Sequence, residues 1–149
     1  MTDARINVRT RTTEVEVVVG FLEALERLDV DGCLDLLDEH AVYQNVPFPA
    51  ARGKDAIAQQ LRSFAKWGSG FEVEFHNIAA NGPIVLTERT DVILVGAVRA
   101  DFWVCGTFEV HEGKITLWRD RFDFADLTLA FVRGGVLALV DRITARGAR

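Results

Sequence analysis

The stretch Pro83-Ile-Val-Leu-Thr-Glu-Arg-Thr-Asp-Val-Ile-Leu-Val-Gly96 constrains this chain more than any other. Aliphatic residues at both ends, Ile84 to Leu86 and Val92 to Val95, mark it as a strand of a buried sheet. Its centre nevertheless carries Glu88, Arg89 and Asp91. A strand sends alternate side chains to opposite faces. Arg89 and Asp91 therefore share a face with Val85, Thr87, Ile93 and Val95. Charges on a buried face are costly unless paired and hydrogen-bonded. The strand thus holds either a structural ion pair or a working site.

Around it, the chain reads as helices first and strands later. Thr13-Glu-Val-Glu16 fits a capping box with Thr13 as the N-cap. Val15, Val18, Val19, Leu22, Leu25 and Leu28 follow at helical spacing, until Asp29-Val-Asp31-Gly32 breaks the helix. A short second helix carries Cys33, Leu34, Leu36 and Leu37. Ala41 to Val46 reads as a short strand ended by Pro47-Phe-Pro49, which cannot continue a ladder. Gly53 to Phe64 is a third helix with Ile57, Leu61 and Phe64 on one stripe.

Then Phe71, Val73 and Phe75 alternate with Glu72, Glu74 and His76, and Asn81-Gly82 marks a turn into the strand at Ile84. Ala100 to Val110 and Ile115 to Phe122 are further strands joined at His111 to Lys114. Asp123 starts a helix, and Gly134 to Ile143 is a separate apolar segment of helical type. This order predicts an α+β fold: a strongly curved, mixed but mainly antiparallel sheet packed on the N-terminal helices. Such a sheet makes a cone around a deep apolar pocket. The length of 149 residues suits one domain, 1–149, with a core over about 13–131 and a C-terminal extension over about 132–149.

Composition removes several function classes. A net charge of −5 argues against nucleic acid as a partner. No apolar run reaches the roughly 20 residues needed to span a bilayer, and the start at Met1 shows no apolar leader segment. Cys33 and Cys105 have no metal-ligand spacing and read as small core hydrophobes of a reducing, cytoplasmic compartment. His40, His76 and His111 fall on surface or turn positions, and no metal site is expected.

Three places put polar groups on inward faces: Tyr43 with Asn45, Arg89 with Asp91, and Asp120 between Trp118 and Phe122. Each has a plain reading: Tyr43 as a core aromatic, Arg89 with Asp91 as a structural pair, and Asp120 as a cap or turn carboxylate. Converging on one pocket, they have a chemical logic. Two carboxylates in an apolar site push their pKa values apart, giving an acid and a base. An arginine between them keeps one ionised and orients both. A phenol and a carboxamide fix a water.

"YQNVPFPAARGKDAI", "TERTDV" and "GTFEVHEGKITLWRDRFD" together resemble the limonene-1,2-epoxide hydrolase family, within the nuclear-transport-factor-like and ketosteroid-isomerase-like superfamily. The resemblance implies a bacterial epoxide hydrolase that opens its substrate in one push-pull step without a covalent intermediate or a cofactor, as a homodimer. Carried onto this chain, Asp91 is the acid, Asp120 is the base, Tyr43 and Asn45 hold the water, and Arg89 bridges the two aspartates. Trp67, Phe75, Leu86, Ile93, Trp103, Trp118 and Phe122 are expected to line the substrate pocket, with Leu34 and Phe102 as further candidates. Their bulk points to a lipophilic epoxide of terpenoid, sterol or lipid type. The alternatives are a ketosteroid-isomerase-like or cyclase-like enzyme, and a binding domain for hydrophobic small molecules.

Overall fold

The structure is a computed structural model and describes residues 13–147; residues 1–12 and 148–149, the two ends of the expected 1–149 domain, lie outside these. Helix α1 (Thr13–Glu26) buries Val15, Val18, Phe21, Leu22, Ala24 and Leu25. Thr13 already lies in the helix, so it is not the N-cap that its motif suggested. The helix also stops short of Leu28, which takes the left-handed conformation (φ +53°) usual for glycine at a helix end. Helix α2 (Val30–Asp35) follows at once, its N-terminus capped by the Asp29 carboxylate accepting from Gly32 N–H. Leu37, expected in that helix, instead opens strand β1 (Leu37–Val46) and is buried opposite Ile115.

A two-residue strand, β2 (Ala51–Arg52), pairs with β1. Gly53, at φ +88°, turns the chain into α3 (Lys54–Trp67). Strands β3 (Gly70–Asn81), β4 (Ile84–Val95), β5 (Val98–His111) and β6 (Lys114–Arg121) then run antiparallel to one another in succession. The full sheet has the order β2-β1-β6-β5-β4-β3, with β1 parallel to β6, and is curved and unclosed. This is the mixed α+β arrangement expected from the element order. The core lies between α1 and the inner face of the sheet, where Phe21 packs edge-on against Trp118 at 4.9 Å and Phe108 at 6.3 Å.

The last element is one continuous helix, α4 (Phe124–Gly147), where two segments were expected. Glycine weakens a helix interior, but at Gly134 it allows close packing on β5. A Cβ there would lie 2.2 Å from the Arg99 carbonyl oxygen. Ala130 and Gly134 form the buried face, while Leu129, Val132, Val136, Leu139 and Ile143 are exposed. No helix among the described residues is long and apolar enough to cross a membrane.

Candidate active site

The register of the sheet assembles the polar residues. Asn45 on β1 pairs with Asp120 on β6, Asp120 with Gly106 on β5, and Gly106 with Thr87 on β4. One row therefore crosses four strands, with a glycine in the gap between Asp120 and Thr87. Arg89, two residues along β4 from Thr87, reaches across this gap to Asp120. Two inter-strand spacings, about 10 Å, separate β4 from β6, a span that an arginine side chain covers only if nothing stands on β5. A Cβ on Gly106 would lie 2.3 Å from Arg89 Nη1, 2.5 Å from Thr87 Oγ1 and 2.9 Å from Asp120 Oδ1.

Arg89 is 0% exposed, Asp91 4% and Asp120 5%. Arg89 grips Asp91 with two bonds, Nε to Oδ1 at 2.7 Å and Nη2 to Oδ2 at 3.1 Å. Its Nη2 also donates to Asp120 Oδ2 at 2.8 Å, and its Nη1 to Thr87 Oγ1 at 2.9 Å. The Trp118 indole N–H donates to the same Asp120 Oδ2 at 2.9 Å. Asp120 Oδ1 is left as the buried side-chain oxygen without a partner among the described residues. The two carboxylates are thus unequal: both oxygens of Asp91 are engaged, whereas Asp120 keeps a free acceptor.

Electrostatics deepen that inequality. Burial pushes the Asp91 carboxyl up to about 6, against the pull of Arg89, with the Asp120 charge adding to the rise. Burial opposes the charge on Arg89 too, but the two carboxylates outweigh it and hold the guanidinium firmly protonated. Burial, then the Asp120 charge, raises the Tyr43 phenol, so it stays protonated and able to donate. Tyr43 stacks on Trp118 at 3.8 Å, and its hydroxyl accepts from Asn45 Nδ2 at 2.6 Å. With Asp91 neutral, the Arg89–Asp120 pair leaves a cluster of zero net charge, the cheapest state for groups so deeply buried.

Both aspartates, Tyr43 and Asn45 open onto one cavity of about 560 Å³. Trp67, Ile93, Phe102, Trp118 and Phe122 line it, with Leu61, Phe64 and Phe71. Four expected lining residues do not. Leu86 is 55% exposed on the outer face of β4, one residue out of step with Val85 and Thr87. Trp103 is 48% exposed on the outer face of β5, donating its indole N–H to Glu88 at 3.2 Å. Phe75 packs against the core outside the cavity, as does Leu34. The sequence reading missed Gly106 and the anchoring role of Thr87; a glycine inside an apolar strand was the available signal. Among the described residues no group of three His, Cys, Asp or Glu side chains could hold a metal ion.

A family model described as the limonene-1,2-epoxide hydrolase catalytic domain matches residues 12–133. This chain belongs to the limonene-1,2-epoxide hydrolase family. It is an epoxide hydrolase of this type. Epoxide hydrolase EphG of Mycobacterium tuberculosis is 45% identical over 128 residues, covering 86% of this chain and 85% of that protein. The solved structure of an M. tuberculosis epoxide hydrolase of this kind superposes with a TM-score of 0.81 at 44% identity, over 87% of this chain and 96% of the other. SalBIII, an epoxide hydrolase/cyclase-like enzyme with a role in pyran ring formation in the polyether salinomycin, matches with a TM-score of 0.69 at 20% identity. It covers 76% of this chain and 92% of its own, a likeness of fold alone.

Proposed function

We propose that this enzyme, acting as a single domain, converts a lipophilic epoxide to a vicinal diol by direct attack of water, with Asp91 as acid and Asp120 as base. The observation that carries this reading is the inequality of the two carboxylates around Arg89. Asp91, raised to about 6, keeps a proton to give. Asp120 keeps Oδ1 open as an acceptor. Water held by Tyr43, Asn45 and Asp120 attacks one ring carbon as its proton passes to Asp120. The carbon–oxygen bond breaks as the Asp91 proton reaches the epoxide oxygen. Turnover leaves Asp91 charged and Asp120 protonated, and exchange through the cavity resets both. Neither acid nor base requires a metal or organic cofactor.

An isomerase or cyclase on the same fold, or a passive binding domain, would have little use for a guanidinium locked between two aspartates. The reading extends to a homodimer, which would give the exposed apolar face of α4 a surface to bury. It extends also to the cytoplasm, which suits the free thiols of Cys33 and Cys105.

Single turnover in heavy-oxygen water tests the chemistry. Label should enter the diol on the first turnover and the diol should be absent with Asp120→Asn. An unlabelled first diol would mean that a protein carboxylate supplied the oxygen, and would overturn direct water attack.

A further inference from the structure

A guanidinium offers two edges to a carboxylate, Nε with Nη2 and Nη1 with Nη2, and either can bind both oxygens at once. Arg89 uses the first edge in full on Asp91, with Nε on Oδ1 and Nη2 on Oδ2. It uses the second only by half on Asp120. Nη2 donates to Asp120 Oδ2 at 2.8 Å, but Nη1 donates to Thr87 Oγ1 at 2.9 Å. Asp120 Oδ1 is not out of the way. Arg89 Nη1, Thr87 Oγ1 and Asp120 Oδ1 together bound the space over Gly106, at 2.3, 2.5 and 2.9 Å from where a Cβ would stand. Nη1 therefore has a hydroxyl and a carboxylate oxygen beside it, and takes the hydroxyl. A carboxylate is the stronger acceptor for a cation, so the choice is set by the place of Thr87, two residues from Arg89 on the same face of β4. Thr87 is 3% exposed and, unlike Asp91 and Asp120, does not line the cavity.

We propose that Thr87 is a positioning residue that keeps the base free: by holding Arg89 Nη1 it limits the guanidinium to one bond on Asp120 and leaves Oδ1 to take the proton of the attacking water. The inference rests on the acid–base reading above and adds to it the residue that makes the two aspartates unequal. Without the hydroxyl, Nη1 would be a buried cationic donor short of a partner, which costs more than the bond itself is worth. The nearest relief is a turn of the guanidinium toward Asp120, giving that carboxylate the two-bond grip that Asp91 already has. Oδ1 would then be held by a cation instead of facing the water. Substrate contacts would stay as they are, since Thr87 reaches the cavity only through Arg89 and Asp120.

Thr87→Val, Thr87→Ser and Thr87→Cys test this beside Asp120→Asn, through kcat and KM for diol formation and through crystal structures of the variants. Valine keeps the shape and removes the acceptor, serine keeps the hydroxyl, and cysteine offers only a weak acceptor. Thr87→Val should lower kcat at least about tenfold, part of the roughly 10²–10⁴-fold that a positioned base is worth. KM should be unchanged, and the structure should show Nη1 on Asp120 Oδ1. Thr87→Ser should restore kcat with Oδ1 left free, and Thr87→Cys should fall between the two. If Thr87→Val does not fold, the comparison of Thr87→Ser with Thr87→Cys carries the test. Thr87→Val with unaltered kcat, beside an inactive Asp120→Asn, would overturn the proposal and leave the base in place. So would a loss of kcat that Thr87→Ser shares in full, or one with Nη1 still away from Oδ1. A fully active Asp120→Asn would instead sink the reading of Asp120 as base, and the proposal with it.

Discussion

Strand β4 carries two carboxylates, Glu88 and Asp91, three residues apart on opposite faces. Asp91 faces inward with the strongest of partners, a guanidinium gripping both its oxygens. Glu88 faces outward with neutral partners, accepting from Asn77 Nδ2 at 2.6 Å and from the Trp103 indole at 3.2 Å. Partner strength alone would make Asp91 the more acidic. The reverse holds: burial pushes Asp91 up to about 6, while the hydrogen bonds from Asn77 and Trp103 lower Glu88. Access to water, not the number or charge of partners, sets the direction. Strand β4, one in from the edge of the sheet, thus keeps an acid on one side and an ionised carboxylate on the other.

The largest break of this contrast is Arg89→Gln. It leaves Asp91 and Asp120 facing each other in an apolar site, and removing one partner of a buried ionic group costs about 3–5 kcal/mol. Urea unfolding should show a loss of that size, with hydrolysis abolished. Adding Asp120→Asn to Arg89→Gln should restore part of the stability, because the buried carboxylate left without its counter-ion is then gone. A stable, active Arg89→Gln would show that the inner face behaves like the outer one.

Asp91→Asn is next. Hydrolysis should fall by about 10²–10⁴-fold, the usual worth of a positioned acid, while the fold persists. The pH dependence follows from the raised carboxyl. Folded Asp91 holds its proton to about 6, whereas the ordinary value is 3.8. Between those values the folded protein binds more protons than the unfolded chain, so stability falls as pH rises, by up to about 1.4 kcal/mol per pH unit. Below that window this contribution is fully present, and above it the contribution is lost. Thermal or urea unfolding across the window should show the slope, and Asp91→Asn should flatten it. In the unaltered enzyme, kcat/KM should decline above pH 6 as the acid loses its proton. A flat profile from pH 5 to 8 would mean that Asp91 does not supply the proton.

The same strand shows what a sequence discloses and what it withholds. Its ends were legible because aliphatic runs stop at a turn-forming Asn81-Gly82 and at Gly96. Parity alone put Arg89 and Asp91 on one face, and the cost of burying them marked the place. Parity also excludes Leu86 from the cavity, since it shares the outer face with Glu88. The pairing of Asn45 with Asp120 depends on a parallel match between β1 and β6, some 75 residues apart, and no local pattern encodes that. Gly106 and Gly134 each read as weak points of an element. Both are close approaches instead, one beneath the Arg89 side chain and one against the β5 backbone.

The smallest expected effect is Glu88→Gln. The amide keeps the shape of the side chain and removes only the charge. The Asn77 and Trp103 donors stand at the surface, where water replaces what the carboxylate gave. Thermal midpoint, pH slope and kcat/KM should all match the unaltered enzyme within error. The value of so quiet a variant lies in its place: Glu88 stands three residues from Asp91 on the same strand, on the opposite face. If Glu88→Gln shifted the pH at which kcat/KM declines, charge on the outer face would be felt by the acid through the sheet. The outer face would then join burial and the Asp120 charge in raising Asp91. An unmoved profile would leave desolvation as the main cause, followed by the inward charges of Asp120 and Glu26.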